Sequence, residues 1–599
     1  MNVSRRVALA GFFQCSTVLA GLLLVAANAL ATEPPGAPAA TGASPAAPVC
    51  EPSAPGSPYI PVDSWVYPAV LRLYSMGYVD PVYLGMRPWT RASLSHMLEE
   101  TSATIQDADT FGDPTAGEAQ DIYEALTRLL REDTQGPCGT HRGNSRIESV
   151  YSVARGISGT PLRDSYHLGS TIVNDYGRPY ENGLDNYSGA SGYASKGRFL
   201  LYARGEFQGA PSATGYTNAL AETLAAMDGT TYFFNSTQPI PYNQQATIPA
   251  GPIGTATNGR IMEAYASAQV LNHIFSFGKQ DEWLGPGQGG AMAYSNNAEN
   301  IYAFHINRIE PLNLPLLSRI TGPFRYEFLV GSLKGHTYPN DPWVHVEKIS
   351  FRPTRDLEFG FERTVIWGGK NHVPITLHTF LRSFFSLTAP QPAQKFSSAD
   401  PGARFGAFDF SYRLPFVRNW LTLYSDSEIH DDLSPVDAPR RSCWRPGIYL
   451  SHVPGIPKLD LRVEGISTDP PIPQSVGGHF MYYEAVQRQG YTNKGVLFGD
   501  WIGREDKGGQ GWISYHLSGT EWLQVGLRNQ KAAKDFIPGG TTLNDISFQA
   551  VKRIGKDFEV NANFSYEQWK APIYLPPGQQ TVTTTSIQLT WFPKGKVSF

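Results

Sequence analysis

The sequence predicts an all-β chain, a large antiparallel outer-membrane β-barrel of about 18 strands preceded by a small periplasmic helical bundle. Three observations predict this class. Apolar residues recur at every second position from about residue 146 to the end. Charged residues are 17 % of the chain, below the roughly 25 % of soluble proteins, while aromatic residues reach 12 %. Beyond the first 31 residues there is no apolar run of about 20 residues that would form a transmembrane helix.

The composition also excludes several classes of function. The formal net charge is −4, so the chain lacks the basic surface that nucleic-acid binding requires. Intrinsic disorder is excluded because the chain contains 30 Tyr and 31 Phe. The 59 Gly and 46 Pro predict many turns.

Residues 1–31 are predicted to be a signal peptide. Arg5 and Arg6 are followed by an apolar stretch that includes residues 19–27, and Ala31 ends a small-residue cleavage site. The alternative is an uncleaved anchor, since there is no charged residue between Arg6 and Glu33. Cleavage would release the mature chain for export and place it in the cell outer membrane.

Two regions separate the signal peptide from the barrel. Residues 32–58 are rich in Pro, Ala, Gly and Ser and are predicted to be a linker. Residues 59–140 are assigned to the periplasmic helical bundle, because apolar residues recur near every 3.6 positions between 59 and 135. Thr90 is predicted to cap the second helix. In the alternative interpretation, these helices cover the barrel and do not fold alone.

The cysteines fit an oxidising compartment. Cys50 and Cys138 bracket the helical region, and we expect a disulfide between them. The alternative is that both thiols are free. Cys443 then lacks a partner and is predicted to be buried.

Residues 141–599 are assigned to the barrel. In residues 459–464 the apolar Leu459, Leu461 and Val463 alternate with charged residues, and similar alternation occurs at 324–331, 357–362 and 558–566. A soluble sandwich would also alternate. The Arg and Glu residues on one face favour a water-filled lumen, and the Phe and Tyr residues on the other favour a lipid-facing surface. The terminal Phe599 is typical of the last strand of such barrels.

A search for catalytic motifs finds no zinc-protease, nucleophile-elbow or phosphate-loop pattern. We therefore predict no enzyme, no cofactor and no metal. The densest acidic run contains Asp426, Glu428, Asp431 and Asp432. It could bind Ca²⁺ or act on a glycosidic bond. The alternative is the solvated end of a strand that continues into an external loop.

Residues 209–260 contain only three charged residues and many Thr, Asn and aromatic residues. Tyr232, Phe233 and Tyr242 lie in this segment. Sugars are bound by stacking on such rings and by neutral hydrogen-bonding groups, so the three rings are the first candidates for polysaccharide binding. The acidic run is the second. Alternatively, the segment folds into the lumen and narrows it.

Two neighbouring segments form a motif. The first is residues 278–287, with Trp283, Gly285, Pro286 and Gly287, and the second contains Ser295, Asn296 and Asn297. Together they resemble a hallmark of the Wzi-type capsule assembly outer-membrane proteins. Residues 68–78, 87–91 and 351–369 also match, and the resemblance covers most of residues 59–599. One departure is Leu284, where family members usually carry a second Trp. The motif glycines are interpreted as turn residues and the asparagines as ties to loop backbone.

The resemblance implies an eighteen-stranded barrel with a periplasmic helical bundle at its base. It also implies a lectin-like protein that binds or organises capsular polysaccharide or exopolysaccharide at the cell surface. The partners would be that polysaccharide, outer-membrane lipid and the outer-membrane assembly machinery. The alternative function is a diffusion porin.

Overall fold

The computed structural model describes residues 56–134, 143–229, 249–386, 391–432, 434–470, 481–575 and 578–598. The predicted signal peptide, most of the predicted linker, Cys50, Cys138, Tyr232, Phe233, Tyr242 and Phe599 lie outside these ranges. None of the helices in the described ranges combines the length and the apolar character needed to span a membrane.

Helices open the described part of the chain, as the 3.6-residue spacing predicted. Thr90 caps the second of them, with its side-chain oxygen accepting the backbone N–H of Ser93 at 3.0 Å. The third was not predicted, because it buries only Thr101 and Ile105 and so has a weak apolar pattern. The four helices are α1 (Val66–Ser75), α2 (Arg91–Met97), α3 (Thr101–Thr110) and α4 (Ala116–Thr134).

In the described ranges, a single antiparallel sheet contains eighteen long strands and one short final strand. The long strands are β1 (Asn144–Ser158), β4 (Gly183–Lys196), β5 (Phe199–Ala210), β6 (Ala256–Val270), β7 (His273–Lys279), β8 (Tyr302–Arg308), β9 (Phe324–Ser332), β10 (Trp343–Thr354), β11 (Leu357–Trp367), β12 (Ala403–Arg413), β13 (Leu421–His430), β14 (Cys443–Leu450), β15 (Leu459–Ser467), β18 (Asp506–Ser518), β19 (Glu521–Ala532), β20 (Thr541–Ile554), β21 (Phe558–Lys570) and β22 (Gln580–Trp591). The final strand is β23 (Lys596–Ser598).

The sheet closes on itself into a barrel. Strand β1 pairs with β4 on one side and with β22 on the other, where Ala154 lies opposite Ile587. Strand β23 extends this seam by pairing with the first residues of β1. Closure pairs both edges of the described sheet, which is the condition for crossing lipid with strands. The predicted fold class is therefore confirmed.

Side chains alternate across the wall as the sequence predicted. Val463 of β15 points outward and is 61 % exposed, while its neighbour Glu464 points inward and is fully buried. Other outward positions carry Leu201, Phe277 and Leu589, all more than half exposed. An apolar outer surface with an inner surface of Arg, Glu and Asp is the pattern of a barrel immersed in lipid.

The two ends of the barrel differ. At one end the strands are joined mostly by short turns, and the four N-terminal helices pack there. The guanidinium of Arg413 donates to the backbone oxygen of Tyr74 in α1 at 2.9 Å, and Tyr424 and Tyr449 of the wall join the apolar core of the helices. We call this the helical end. At the other end, the loop end, the connections are long and include residues 159–182, 211–255, 280–301 and 468–505.

The remaining short elements lie in the connections. Cys443, at the start of β14, is buried, as expected from the sequence. The short elements are β2 (Arg163–Asp164), β3 (Gly169–Ser170), α5 (Asn218–Met227), α6 (Ser318–Thr321), α7 (Leu377–Phe384), α8 (Pro392–Lys395), β16 (Thr492–Asn493) and β17 (Val496–Leu497).

Candidate functional site: the filled interior of the barrel

The segment 280–301, between β7 and β8, folds into the barrel and not away from it. We call it the inward loop. Its backbone N–H at Met292 donates to Oδ2 of Asp426 in β13 at 2.6 Å. The N–H groups of Gln288 and Gly289 donate to the two carboxylate oxygens of Glu464 in β15, at 2.8 and 3.2 Å. Carboxylates of the wall thus satisfy backbone donors of the loop, and those of Gly289 and Met292 are buried, where an unpaired donor would be costly.

The first half of the family motif lies at the start of the inward loop. Trp283 exchanges two backbone hydrogen bonds with Arg87, of 3.0 and 2.9 Å, so the loop reaches across the lumen to the N-terminal segment. A Cβ atom at Gly285 would lie 2.5 Å from Oδ2 of Asp426. At Gly287 it would lie 2.3 Å from the backbone oxygen of Gly290. These glycines allow close approach of the backbone to its neighbours, and Pro286 between them is buried.

The second half of the motif joins the inward loop to the long loop before β18. Ser295 donates its hydroxyl to the backbone oxygen of Gly499 at 2.6 Å. Asn297 donates its side-chain amide to the backbone oxygen of Leu497 at 3.0 Å. Asn296 accepts the N–H of Tyr176 through its own backbone oxygen. The contacts of Ser295 and Asn297 are ties to loop backbone, the role expected of such residues.

Aromatic side chains from the loop before β18 fill the space beside the inward loop. Tyr491 and Phe498 stack with ring centroids 3.9 Å apart, and Tyr482 lies next to them. The Tyr482 hydroxyl donates to the backbone oxygen of Met292 at 2.5 Å. Trp501 is fully buried in the same cluster. The inward loop and residues 481–505 of the loop before β18 are therefore packed into the interior as parts of one core.

Charged side chains inside the barrel are paired across strands and loops. Arg445 of β14 lies between Glu464, at 2.6 Å, and Asp500 of the loop before β18, at 2.5 Å. Lys348 of β10 pairs with Asp409 and lies 3.7 Å from Glu362. Buried ion pairs of this kind resist the removal of either partner, because the remaining charge would be left unpaired.

The structure places the four residues of the predicted acidic run in two different environments. Asp426 and Glu428 are not in an external loop; they lie within β13, point inward and are at most 1 % exposed. The strand continues to His430 because the alternation of inward and outward residues continues through the acids. Asp431 and Asp432 follow the strand at the loop end, where Asp432 lies 3.0 Å from Arg441. The other three site residues, Tyr232, Phe233 and Tyr242, lie outside the described residues.

A buried charge cluster joins three of the long loops at the loop end. His167 lies 3.1 Å from Asp164 and 2.7 Å from Asp228, and Asp228 lies 2.7 Å from Arg504. Burial lowers the pKa of His167, but the two carboxylates outweigh burial and raise it to about 9. Burial raises the pKa of Asp228, but His167 and Arg504 outweigh it and hold that pKa below its ordinary value.

A cavity of about 510 Å³ begins at the helical end, between the helices and the wall, and reaches Arg178 of the connection 159–182. Eight basic and five acidic side chains line it, so its net charge is positive. Guanidinium groups lie over aromatic rings in its wall, as for Arg178, which is 4.3 Å from the Tyr187 ring centroid. Its basic and aromatic lining residues are Arg91, Arg128, Arg146, Arg178, Arg204, Arg553, Lys556, Lys594, Tyr59, Trp65, Tyr151, Tyr187 and Phe592.

Reasoning from the sequence missed this cavity and the loop–wall bonds. Inward positions are readable from the alternation, as for Arg204 and Glu206 in β5. That signal identifies which residues face the lumen. It does not identify which loop returns to meet them, because the contacts of Asp426 and Glu464 with the inward loop join residues far apart in the sequence.

Among the known proteins that are similar to this chain are one from Klebsiella pneumoniae and one from Escherichia coli. A 55.8 kDa uncharacterised protein of the cps region of Klebsiella pneumoniae is 23 % identical over 275 residues, which are 45 % of this chain and 52 % of that protein. The chain thus matches about half the length of this relative. A solved structure of Wzi from Escherichia coli, an outer-membrane protein involved in group 1 capsule assembly and described as a carbohydrate-binding β-barrel, superposes with a TM-score of 0.61 at 15 % identity. The alignment covers 88 % of this chain and 98 % of that chain.

The model of the family "Capsule assembly protein Wzi" matches residues 153–584. That range is well over half of the chain and includes the motif residues between Trp283 and Asn297. The resemblance predicted from the motifs is confirmed, as is the expected location in the outer membrane. The chain belongs to the Wzi family of capsule assembly proteins.

Proposed function

We propose that this chain is a non-catalytic outer-membrane protein that binds and organises capsular polysaccharide or exopolysaccharide at the cell surface. One structural observation carries the proposal. The interior is occupied by the inward loop and by residues 481–505 of the loop before β18, and both are bonded to the wall. A barrel built in this way serves as a rigid support for its surface loops. The carbohydrate binding described for the Escherichia coli relative supports the same function.

The filled interior also argues against a diffusion porin, the alternative function. A porin requires a continuous aqueous path along its lumen. In the described residues, the fully buried side chains of Trp501, Tyr482, Tyr491 and Phe498 lie inside the wall at the loop end. Opening that path would break the contacts of Met292 with Asp426 and Tyr482.

The orientation in the membrane follows from the two ends. Outer-membrane barrels have short periplasmic turns and longer extracellular loops. We therefore infer that the helical end faces the periplasm and the loop end faces the cell exterior. The apolar outer surface between the two ends would contact outer-membrane lipid, and the outer-membrane assembly machinery would insert the barrel.

Polysaccharide would then meet the loop end. Tyr232, Phe233 and Tyr242 are our first candidates for stacking on sugar rings. Asp431 and Asp432 remain candidates for accepting hydrogen bonds from sugar hydroxyl groups. Arg441 lies beside Asp432 and would lessen its repulsion of an acidic polysaccharide. Asp426 and Glu428 do not fit this role, because both are buried inside the wall. Asp426 holds the backbone of the inward loop, and Glu428 faces the interior.

The test is retention of polysaccharide by cells that produce the variant with Tyr232→Ala, Phe233→Ala and Tyr242→Ala. We expect the triple variant to fold as a heat-modifiable barrel and to retain less surface polysaccharide than wild type. Phe111→Ala with Phe416→Ala is the matched control, since both rings are strongly exposed at the helical end. The control should retain polysaccharide like wild type.

Two outcomes would contradict the assignment of the rings. If the triple variant folds and retains polysaccharide like wild type, the binding residues lie elsewhere. The cavity at the helical end is then the next candidate for the binding site. The variant with Arg128→Gln and Lys556→Gln tests it by removing two exposed charges from its lining. If the triple variant fails to fold, the three rings pack against the barrel and are not a binding platform.

A further inference from the structure

Three side chains with metal-binding atoms meet inside the barrel. Glu282 belongs to the inward loop, His305 to β8 and Glu327 to β9. Their donor atoms all lie within 4.8 Å of one another. His305 Nδ1 is 3.6 Å from an oxygen of Glu282 and 4.0 Å from an oxygen of Glu327. All three residues are at most 3 % exposed.

Most of these donor atoms have no hydrogen-bond partner among the described residues. This holds for both carboxylate oxygens of Glu282, for both ring nitrogens of His305 and for Oε1 of Glu327. The other oxygen of Glu327 accepts the side-chain amide of Asn307 at 3.0 Å. Two buried carboxylates carry a charge of about −2, which burial disfavours strongly unless a cation or a proton compensates it.

No basic side chain in the described ranges other than His305 lies within ion-pairing distance of Glu282 or Glu327. Arg325 is the neighbouring cation on β9. It donates instead to the backbone oxygen of Arg308, at 3.1 Å, and to the side-chain oxygen of Asn307, at 2.9 Å. Arg325 thus acts on Glu327 only at longer range, and a bound ion or protons would supply the rest of the compensating charge.

We propose that Glu282, His305 and Glu327 form a binding site for one divalent transition-metal ion of the zinc or manganese type. One imidazole and two carboxylates are a common ligand set for such ions, whereas Ca²⁺ and Mg²⁺ prefer oxygen ligands alone. Ligands about 2.1 Å from a tetrahedral zinc lie about 3.4 Å apart. The observed separations of 3.6 and 4.0 Å require only small movements of the side chains.

The proposed ion would join the inward loop to the wall. Glu282 is the only one of the three ligands that the loop supplies, and it precedes the motif residue Trp283. The ion would thus fix the beginning of the loop, while Asp426 and Glu464 fix its middle. The site is distinct from the surface proposed for polysaccharide, and its existence does not depend on that function.

The probe is Zn²⁺ added to tag-free protein purified from outer membranes and stripped with a chelator. After dialysis, we expect about one zinc per chain by elemental analysis. Two variants are compared with wild type, His305→Gln and the double variant Glu282→Gln with Glu327→Gln. Each removes a ligand, so each should reduce zinc affinity by more than the roughly 10–100-fold that the loss of an outer-shell partner costs. His336→Gln is the control, because His336 is also buried but bonds to the backbone oxygen of Thr492, away from the three ligands.

Wild-type protein keeps the test decisive even if a variant fails to fold. Restoring zinc to stripped wild-type protein should raise its heat-denaturation temperature. Wild-type protein that holds no zinc, or variants that bind zinc like wild type, would overturn the proposal. If wild-type protein holds no zinc, the two carboxylates share a proton in place of an ion.

Discussion

Asp426 in the barrel wall accepts the backbone N–H of Met292 at 2.6 Å, so a strand carboxylate holds the loop that occupies the lumen. The same wall carboxylate lies against Gly285 of the family motif. This contact joins two features that are separate in the sequence, the acidic run and the glycine-containing motif. It explains why Asp426 is buried and why no side chain fits at Gly285.

The first prediction concerns the closed lumen. Wild-type protein in a planar bilayer should show no steady conductance, because loops bonded to the wall occupy the interior. Asp426→Ala removes the acceptor for the Met292 N–H and should produce conducting events as the loop moves.

Asp426→Asn is the matched control, since its side-chain oxygen can still accept this hydrogen bond. It should remain closed. Steady conductance by the wild-type protein would show that the lumen is open and would favour the porin alternative.

The second prediction concerns Gly285. Replacing it with Ala places a methyl group 2.5 Å from Oδ2 of Asp426. We expect a loss of about 1–3 kcal/mol from overpacking, seen as a lower temperature for the heat-induced shift of the barrel on a gel. Gly254→Ala should leave that temperature unchanged, because its added Cβ meets no atom within 4 Å. If both substitutions lower this temperature equally, the close contact with Asp426 is not the reason why position 285 requires glycine.

The third prediction concerns pH. The pKa of His167 is raised from 6.5 to about 9, so its protonated form stabilises the folded loops. This stabilisation is complete below about pH 6.5 and is lost as the pH rises through 9. The shift corresponds to about 3 kcal/mol.

The heat-denaturation temperature of wild-type protein should therefore fall between pH 6.5 and 9. His167→Gln should be less stable at pH 6.5 and should show a smaller decline over this range. An identical decline in His167→Gln would assign the pH dependence to other groups.

The fourth prediction concerns orientation. A peptide tag inserted at Gly112, in the exposed turn after α3, should be inaccessible to antibody on intact cells, because the helical end is inferred to face the periplasm. A tag inserted at Gly254, in a connection at the loop end, should be accessible. The reverse pattern of labelling would invert the proposed orientation.

Much of the fold could be predicted from local pattern. The alternation of Val463 with Glu464 shows which face of the strand meets lipid, because one face contacts lipid and the other the lumen. Thr90 was predictable as a cap because capping depends on neighbouring residues. The interior was less predictable, since the contacts of Met292 with Asp426 and of Glu282 with His305 join distant segments. A run of acids is typical of solvent-exposed segments, so the sequence favoured a solvated strand end and an external loop for Asp426 and Glu428, which are instead buried.

The proposed function depends most on whether the folded barrel binds polysaccharide. The direct measurement is flotation of surface polysaccharide, isolated from the producing bacterium, with liposomes that contain the purified protein. We predict saturable co-flotation, absent with empty liposomes, and recovery of the polysaccharide at its original chain length. Polysaccharide that stays at the bottom of the gradient at every protein concentration would contradict binding, and shortened chains would contradict a non-catalytic role.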